Sequence, residues 1–173
     1  GHPAAPPGKV RLMTDADRFP TPEELLDQER RLALPSCSEE DALDIGRRLL
    51  DTATERSLPV TIEVWRGGRL VFRAARPGTN AHNDLYLAGK RRVVEHFGHS
   101  SFYERLHHVA AGTTFAEATS LQFPEYAPHG GGFPLIVAGT GPVGVALVSG
   151  LPQEQDHALI VEVLEAFLAG TPG

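Results

Sequence analysis

The sequence contains very little cysteine, and it has neither a long apolar run nor a basic block. Cys37 is the only cysteine in 173 residues, so no disulfide can form within one chain. This usage is typical of a reducing compartment, and nothing near the start resembles a secretory signal, so we expect a cytoplasmic protein. No apolar run approaches the ~18–20 residues that cross a bilayer, which predicts no membrane partner. A net charge of −6 without a basic patch likewise argues against nucleic acid as a partner.

What the sequence does contain is typical of a globular protein. Hydrophobic residues make up 41% of the chain and charged residues 22%, enough for one domain with a real core. Residues 1–20 are rich in proline, alanine and glycine, and we interpret them as an extended N-terminal arm, either mobile or laid across a neighbouring subunit. Residues 21–170 are expected to form a single domain.

Capping and turn residues predict an α+β fold. Thr21, Ser38 and either Asn80 or Asn83 are suitable N-caps for helices, and Gly98 is a suitable C-cap. Gly67-Gly68 predicts the turn of one hairpin. The order is helix, strand, strand, helix, an irregular region, strand, strand, helix, so we expect a mainly antiparallel sheet with helices packed on it. The strand at 70–75 alternates weakly, which predicts that it is covered on both faces.

Two apolar runs, 133–138 and 143–148, predict a second hairpin, and the turn between them contains a pattern that is typical of nucleotide-binding loops. Residues 139–144 read Gly-Thr-Gly-Pro-Val-Gly and fit G-x-G-x-x-G. That motif requires a helix directly after it, so that a phosphate can bind at the helix N-terminus. Here the apolar run Val145–Val148 follows, and Pro142 lacks an N–H. We therefore predict a hairpin turn that binds no nucleotide.

Several short segments, taken together and in order, resemble a known family. They are Arg66-Gly67-Gly68, Pro77-Gly78-Thr79 with Asn83-Asp84, Lys90-Arg91 with Phe97-Gly98 and Ser100-Ser101, His129 to Pro134, and Ser149 to Pro152 with Asp156-His157. They resemble the UPF0303 family, which is similar to the wider group of HbpS, GlcG and PduO C-terminal domains, over roughly residues 20–170. The resemblance implies a profilin-like fold (GlcG-like), with a five-stranded antiparallel sheet between helices. It also implies homodimers or larger rings, and binding of haem or a related tetrapyrrole, with haem degradation in some relatives.

Lys90 is the first candidate for a ligand-binding residue. It lies on the apolar face of its predicted helix, where a lysine is costly unless it is paired or faces a ligand. If it is buried beside a pocket, Lys90 could hold a carboxylate or phosphate. The alternative is a packed stem whose ammonium reaches solvent, or an ion pair with Asp84 or Glu95.

Further candidates come from the glycine loop, the last helix and the segments that carry the resemblance. His129 precedes glycines that would let backbone approach a ligand closely, or that simply form a tight loop. Asp156 and His157 lie near the start of the last helix, where adjacent side chains point about 100° apart. The predicted ligand-binding set is Asn83, Asp84, Tyr86, Lys90, His129, Gly130, Gly131, Asp156 and His157.

Metal and nucleophile sites are not expected from the sequence. Gly98 separates His96 from His99, and neither this pair nor His107-His108 suffices for a metal site. Ser149 lacks the G-x-S-x-G context, and nothing indicates an activated thiolate at Cys37. We therefore expect a protein that binds a small molecule, with haem as the possible cofactor. Two alternatives stay open: an enzyme using acid–base groups on a small metabolite, and an oligomeric interaction scaffold.

Overall fold

A computed structural model describes Gly1 and residues 18–170. The predicted arm, residues 1–20, therefore falls mostly outside the described residues. Within them the chain runs α1 (Pro22–Arg31), α2 (Glu39–Glu55), β1 (Thr61–Arg66), β2 (Arg69–Ala75), α3 (Ala81–Phe97), α4 (Ser101–Ala110), α5 (Phe115–Thr119), β3 (Gly132–Val137), β4 (Gly141–Ser149) and α6 (Gln153–Leu168).

The helices begin and end where the capping residues predict. Thr21 and Ser38 each form a capping box, in which the side chain accepts from the third helical N–H and the third side chain accepts from the cap N–H. For α3 the cap is Asn80, and Asn83 is its capping-box partner. Gly98 ends α3 in the left-handed conformation at φ 74°, as a C-cap glycine does.

The described strands form one antiparallel sheet in the order β2-β1-β4-β3. Both hairpins are confirmed, with Gly67-Gly68 between β1 and β2. Residues 138–140 connect β3 to β4, and β4 begins at Gly141. A strand therefore follows the glycine pattern, and the helix that a dinucleotide loop requires is not at this position.

The expectation of five strands is wrong for the described residues, where the sheet has four strands. Leu34 lies beside the free edge of β3, but it forms only an isolated parallel bridge to Val137. Its N–H donates to Ile136 at 2.7 Å, and its carbonyl accepts from Ala138 at 2.8 Å. The bridge at Leu34 is isolated, so this contact does not form a fifth strand.

Helices cover both faces of the sheet, as expected. Alternate residues of β4 point to opposite faces. Ala146 and Val148 join the core cluster that contains residues of α2 and α6. Val145 and Leu147 pack instead against Leu87 and Val94 of α3. Among the described helices, none combines the length and the apolar character that crossing a membrane requires.

The prediction that β2 is covered on both faces is wrong. It is an edge strand of mixed exposure, and Leu70 keeps 44% of its surface accessible. One face packs against α2, where Gly46 has no side chain and so leaves room for the Phe72 ring. The other face carries Arg73, which pairs with Glu63 and Asp84.

Candidate functional site

A pocket of about 320 Å³ opens between the first half of α3, the loop before β3 and the turn from β4 into α6. Its volume lies at the small end of the range for ligand sites, roughly 300–1,000 Å³. The lining residues are His82, Asn83, Tyr86, Lys90, His129, Ser149, Gly150, Leu151, Gln153 and Asp156.

A buried ion pair lies beside this pocket. The Lys90 ammonium is 3.2 Å from Asp156 Oδ2 and donates to the Val148 carbonyl at 3.0 Å. Lys90 and Asp156 each expose only 2% of their surface. Lys90 thus neither reaches solvent nor pairs with Asp84 or Glu95, which were the alternatives. Those two carboxylates pair with Arg73 and Arg91.

Burial shifts the pKa values of the two partners in opposite directions. The pKa of Asp156 is raised from its ordinary 3.8 to about 6, because desolvation outweighs the opposing effects of Lys90 and of the backbone N–H groups of Leu151 and Gly150. Burial also lowers the pKa of Lys90, against the pull of Asp156. Each charge is therefore costly on its own, and the charged states of the two groups depend on each other.

His129 brings a neutral imidazole to the pocket. Burial, together with the positive charges of Arg105 and Lys90, lowers the pKa of His129 to about 4. Its ring lies 5.5 Å from the ring of Tyr86, measured between centroids. At neutral pH the imidazole can accept a hydrogen bond or bind a metal ion, because it carries no charge.

The glycines after His129 let the loop pack against the ion pair. Gly131 has φ 123°, a conformation that favours glycine. A Cβ at Gly131 would meet the Val148 carbonyl oxygen, and would lie 2.7 Å from Lys90 Nζ and 3.0 Å from Asp156 Cβ. At Gly130 it would meet the Gln153 carbonyl. These glycines are therefore required by close approach to the site, although neither lines the open pocket.

Five of the nine residues predicted from the sequence line the pocket: Asn83, Tyr86, Lys90, His129 and Asp156. Asp84 lies outside the lining and binds Arg73. His157 points away from Asp156, as the 100° offset requires, and contacts Gln28 at 2.7 Å. Its ring packs beside Phe102 and Phe133.

The sequence analysis missed five lining residues. His82 lies four residues before Tyr86 and eight before Lys90, so helical spacing could have identified it. The remaining four, Ser149, Gly150, Leu151 and Gln153, run from the end of β4 into the start of α6. The first three belong to a segment that carries the family resemblance, but nothing local marks it as part of a pocket, because only the packing of α3 and α6 on the sheet brings it to Lys90.

Other parts of the molecule carry less of the chemistry expected of a site. A cavity of about 790 Å³ lies beside Trp65 and Arg91, but none of its ionisable lining side chains is buried. His99 Nδ1 lies 3.0 Å from the buried carboxylate of Glu29. Burial raises the pKa of the Cys37 thiol, so this cysteine is not activated.

Comparison with known proteins agrees with the sequence resemblance. The family model described as haem degrading protein HbpS-like matches residues 37–165. A UPF0303 protein of Streptomyces avermitilis is 48% identical over 156 residues, which cover 90% of this chain and 96% of the relative. A UPF0303 protein of Streptomyces coelicolor is 47% identical, covering 90% and 99%.

Solved structures share the fold. The Ybr137w protein is 32% identical with a TM-score of 0.76, covering 86% of this chain and 88% of that protein. The PduOC structure, solved as a haem complex, is 19% identical with a TM-score of 0.63, covering 76% and 94%, and shows likeness of fold alone. On the family match and on the relatives' identity over nearly their whole length, this chain belongs to the HbpS-like family, with the UPF0303 proteins among its relatives.

Proposed function

We propose that this protein binds haem or a related tetrapyrrole, and that Lys90 holds a carboxylate of the ligand. The observation that carries the proposal is a buried lysine lining an open pocket, with the neutral imidazole of His129 in the same lining. Membership of a family described as haem degrading, and a structural neighbour solved with haem, support this class of ligand.

Lys90 has a hydrogen-bond donor left for a ligand. An ammonium group has three N–H donors. The described contacts use two, to Val148 and Asp156. A ligand carboxylate beside the third would add negative charge next to a lysine whose burial is costly, and would favour its charged form. The Tyr86 ring, with its centroid 5.9 Å from the ammonium, supplies a flat apolar surface at the same place.

The pocket fits one edge of a tetrapyrrole rather than the whole ring. About 320 Å³ accommodates a carboxylate and its linker, and the macrocycle would extend beyond the mouth. When bound, haem supplies an iron centre, for which neutral imidazole is a common protein ligand. His129 and His82 are the imidazoles of the lining, and the pKa of His129, about 4, keeps it neutral at physiological pH.

A haem titration followed by the Soret band tests the proposal. The parent should bind with saturation. Lys90→Met combined with Asp156→Asn removes both charges while leaving no unpaired ion, and should bind about ten- to a hundredfold more weakly, which corresponds to losing one charged hydrogen bond of ~1.5–3 kcal/mol. His96→Ala, an exposed change on the same helix, is the matched control. No saturable shift in the parent, or equal affinity in all three proteins, would refute haem binding through Lys90.

A second candidate function is acid–base catalysis on a small metabolite. It is favoured by Asp156, whose pKa of about 6 suits proton transfer near neutral pH, in the same pocket as neutral His129. Incubation with any metabolite that co-purifies separates the two functions, since a bound ligand is recovered unchanged and a substrate is converted. Absence of both haem and metabolite binding would favour the interaction scaffold.

A further inference from the structure

A carboxylate and two imidazoles converge on α4, away from the pocket. Glu104 Oε2 lies 3.3 Å from His107 Nε2 and 3.8 Å from His108 Nε2. One ligand atom from each of the three residues lies within 4.8 Å of the other two. Helical spacing explains the cluster, because residues three and four positions on lie beside the first on one face.

Glu104 is the buried member of the cluster, and in the described part of the chain it forms no ion pair with a lysine or an arginine. Glu104 exposes only 3% of its surface, and its ion-pair contacts within residues 18–170 are to these two histidines. His108 Nε2 is buried without a hydrogen-bond partner, since 3.8 Å is too long for one. An ionised buried carboxylate is ordinarily paired or coordinates a metal ion.

The position of the two histidines on their helix also favours a cation. His107 and His108 lie in the last turn of α4, where the helix dipole is negative.

We propose that Glu104, His107 and His108 bind a first-row divalent transition-metal ion, with Zn²⁺ as the representative. Ligand atoms bound at about 2.0–2.1 Å in tetrahedral geometry lie about 3.3–3.4 Å apart. The distance from Glu104 to His107 already has this value, the distance from Glu104 to His108 is 3.8 Å, and all three ligand atoms lie within 4.8 Å of one another. Two imidazoles and one carboxylate are a donor set that zinc accepts.

Packing orients the ligands and leaves one coordination position to water. The ring of His107 stacks on Tyr103, with centroids 4.7 Å apart and planes 14° from parallel. Such outer contacts hold a ligating ring in orientation. The His107 side chain is 32% exposed and the Glu104 side chain 4%, so the fourth position opens to solvent on the His107 side.

Calorimetric titration of the haem-free full chain with Zn²⁺ tests the site. The parent should bind one ion per chain. His107→Gln and His108→Gln should each lose at least the roughly 10–100-fold in affinity that even an outer-contact change costs at metal sites. His96→Gln on the surface of α3, and His129→Gln in the pocket, should bind zinc like the parent. Zinc should also raise the thermal midpoint of the parent and of both controls, but not of the His107 and His108 variants.

The outcomes are separable from the proposed haem function. If the parent binds no zinc, or if the His107 and His108 variants bind as tightly as the parent, the site does not exist. If His129→Gln abolishes binding, the ion occupies the pocket instead, and the assignment to α4 is wrong. Haem titration of His108→Gln should match the parent, because the cluster shares no residue with the pocket.

Discussion

Replacing Lys90 with methionine should destabilise the protein strongly, even though methionine is apolar and of similar length. The ammonium is 3.2 Å from Asp156, and both groups are 2% exposed. The variant would leave a buried carboxylate without its cation. Removing one partner of a buried pair costs ~3–5 kcal/mol, whereas removing both can be close to neutral. We therefore expect a loss of ~3–5 kcal/mol in the free energy of unfolding at neutral pH.

The loss should depend on pH. Asp156 has a pKa of about 6 in the folded protein against an ordinary 3.8, so the folded state holds its proton more tightly. The stability this proton contributes is fully present below pH 3.8 and is lost as the pH rises through about 6. Without Lys90 the pKa of Asp156 should rise further, since Lys90 lowers it. Each further pKa unit adds ~1.4 kcal/mol to the loss of stability at high pH, so Lys90→Met should lose less free energy of unfolding at pH ~5 than at pH ~8.

Urea denaturation at these two pH values, at one protein concentration, measures both effects. The control is Lys90→Met with Asp156→Asn, because asparagine retains the oxygen that accepts from the Leu151 N–H at 3.0 Å. The double variant should lose at least ~2 kcal/mol less than the sum of the single variants, within the range for residues in contact. A single Lys90→Met that loses under ~1 kcal/mol at both pH values would show that the pair does not bury its charges as described.

Four further predictions concern the loop, the core, the hairpin and assembly. Gly131→Ala should lower the free energy of unfolding in urea more than Gly139→Ala does, because both glycines have positive φ but only a Cβ at Gly131 would contact Lys90 and Asp156. Equal losses in the two variants would show that backbone conformation alone matters. Burial lowers the pKa of His157 in the folded protein to about 4, so the unfolded state takes up the proton first and the protein loses stability as the pH falls from 6.5 to 4. His157→Phe should reduce this loss of stability, and a pH profile of urea denaturation identical to that of the parent would contradict the prediction. Residues 139–144 should bind neither NAD nor ATP in calorimetry, and a micromolar affinity would overturn the hairpin interpretation. Light scattering should give a mass that is two or more times the chain mass of 18.6 kDa, because the family resemblance implies an oligomer and the edge strand β2 leaves backbone groups free to pair. A monomer mass at micromolar concentration would exclude the oligomer.

Local chemistry determined the boundaries of most elements. Thr21, Ser38 and Asn80 satisfy N–H groups at helix starts, and Gly98 accepts a left-handed conformation. These effects act within a few residues, so they can be recognised without knowing what packs where. The same holds for the glycine pattern at 139–144, where the following strand identified a hairpin.

Tertiary contacts decided the rest. The sequence identified Lys90 as a lysine on an apolar face, but it named Asp84 and Glu95 as partners because they are near in sequence. The actual partner, Asp156, is 66 positions away, and α6 brings it to Lys90 only when the two helices pack on opposite faces of the sheet. Likewise, adjacent histidines at 107 and 108 indicated no metal site until Glu104 was seen to be buried beneath them. Burial is a property of the packed molecule, and burial is what makes a charge costly, shifts its pKa and leaves it requiring a partner.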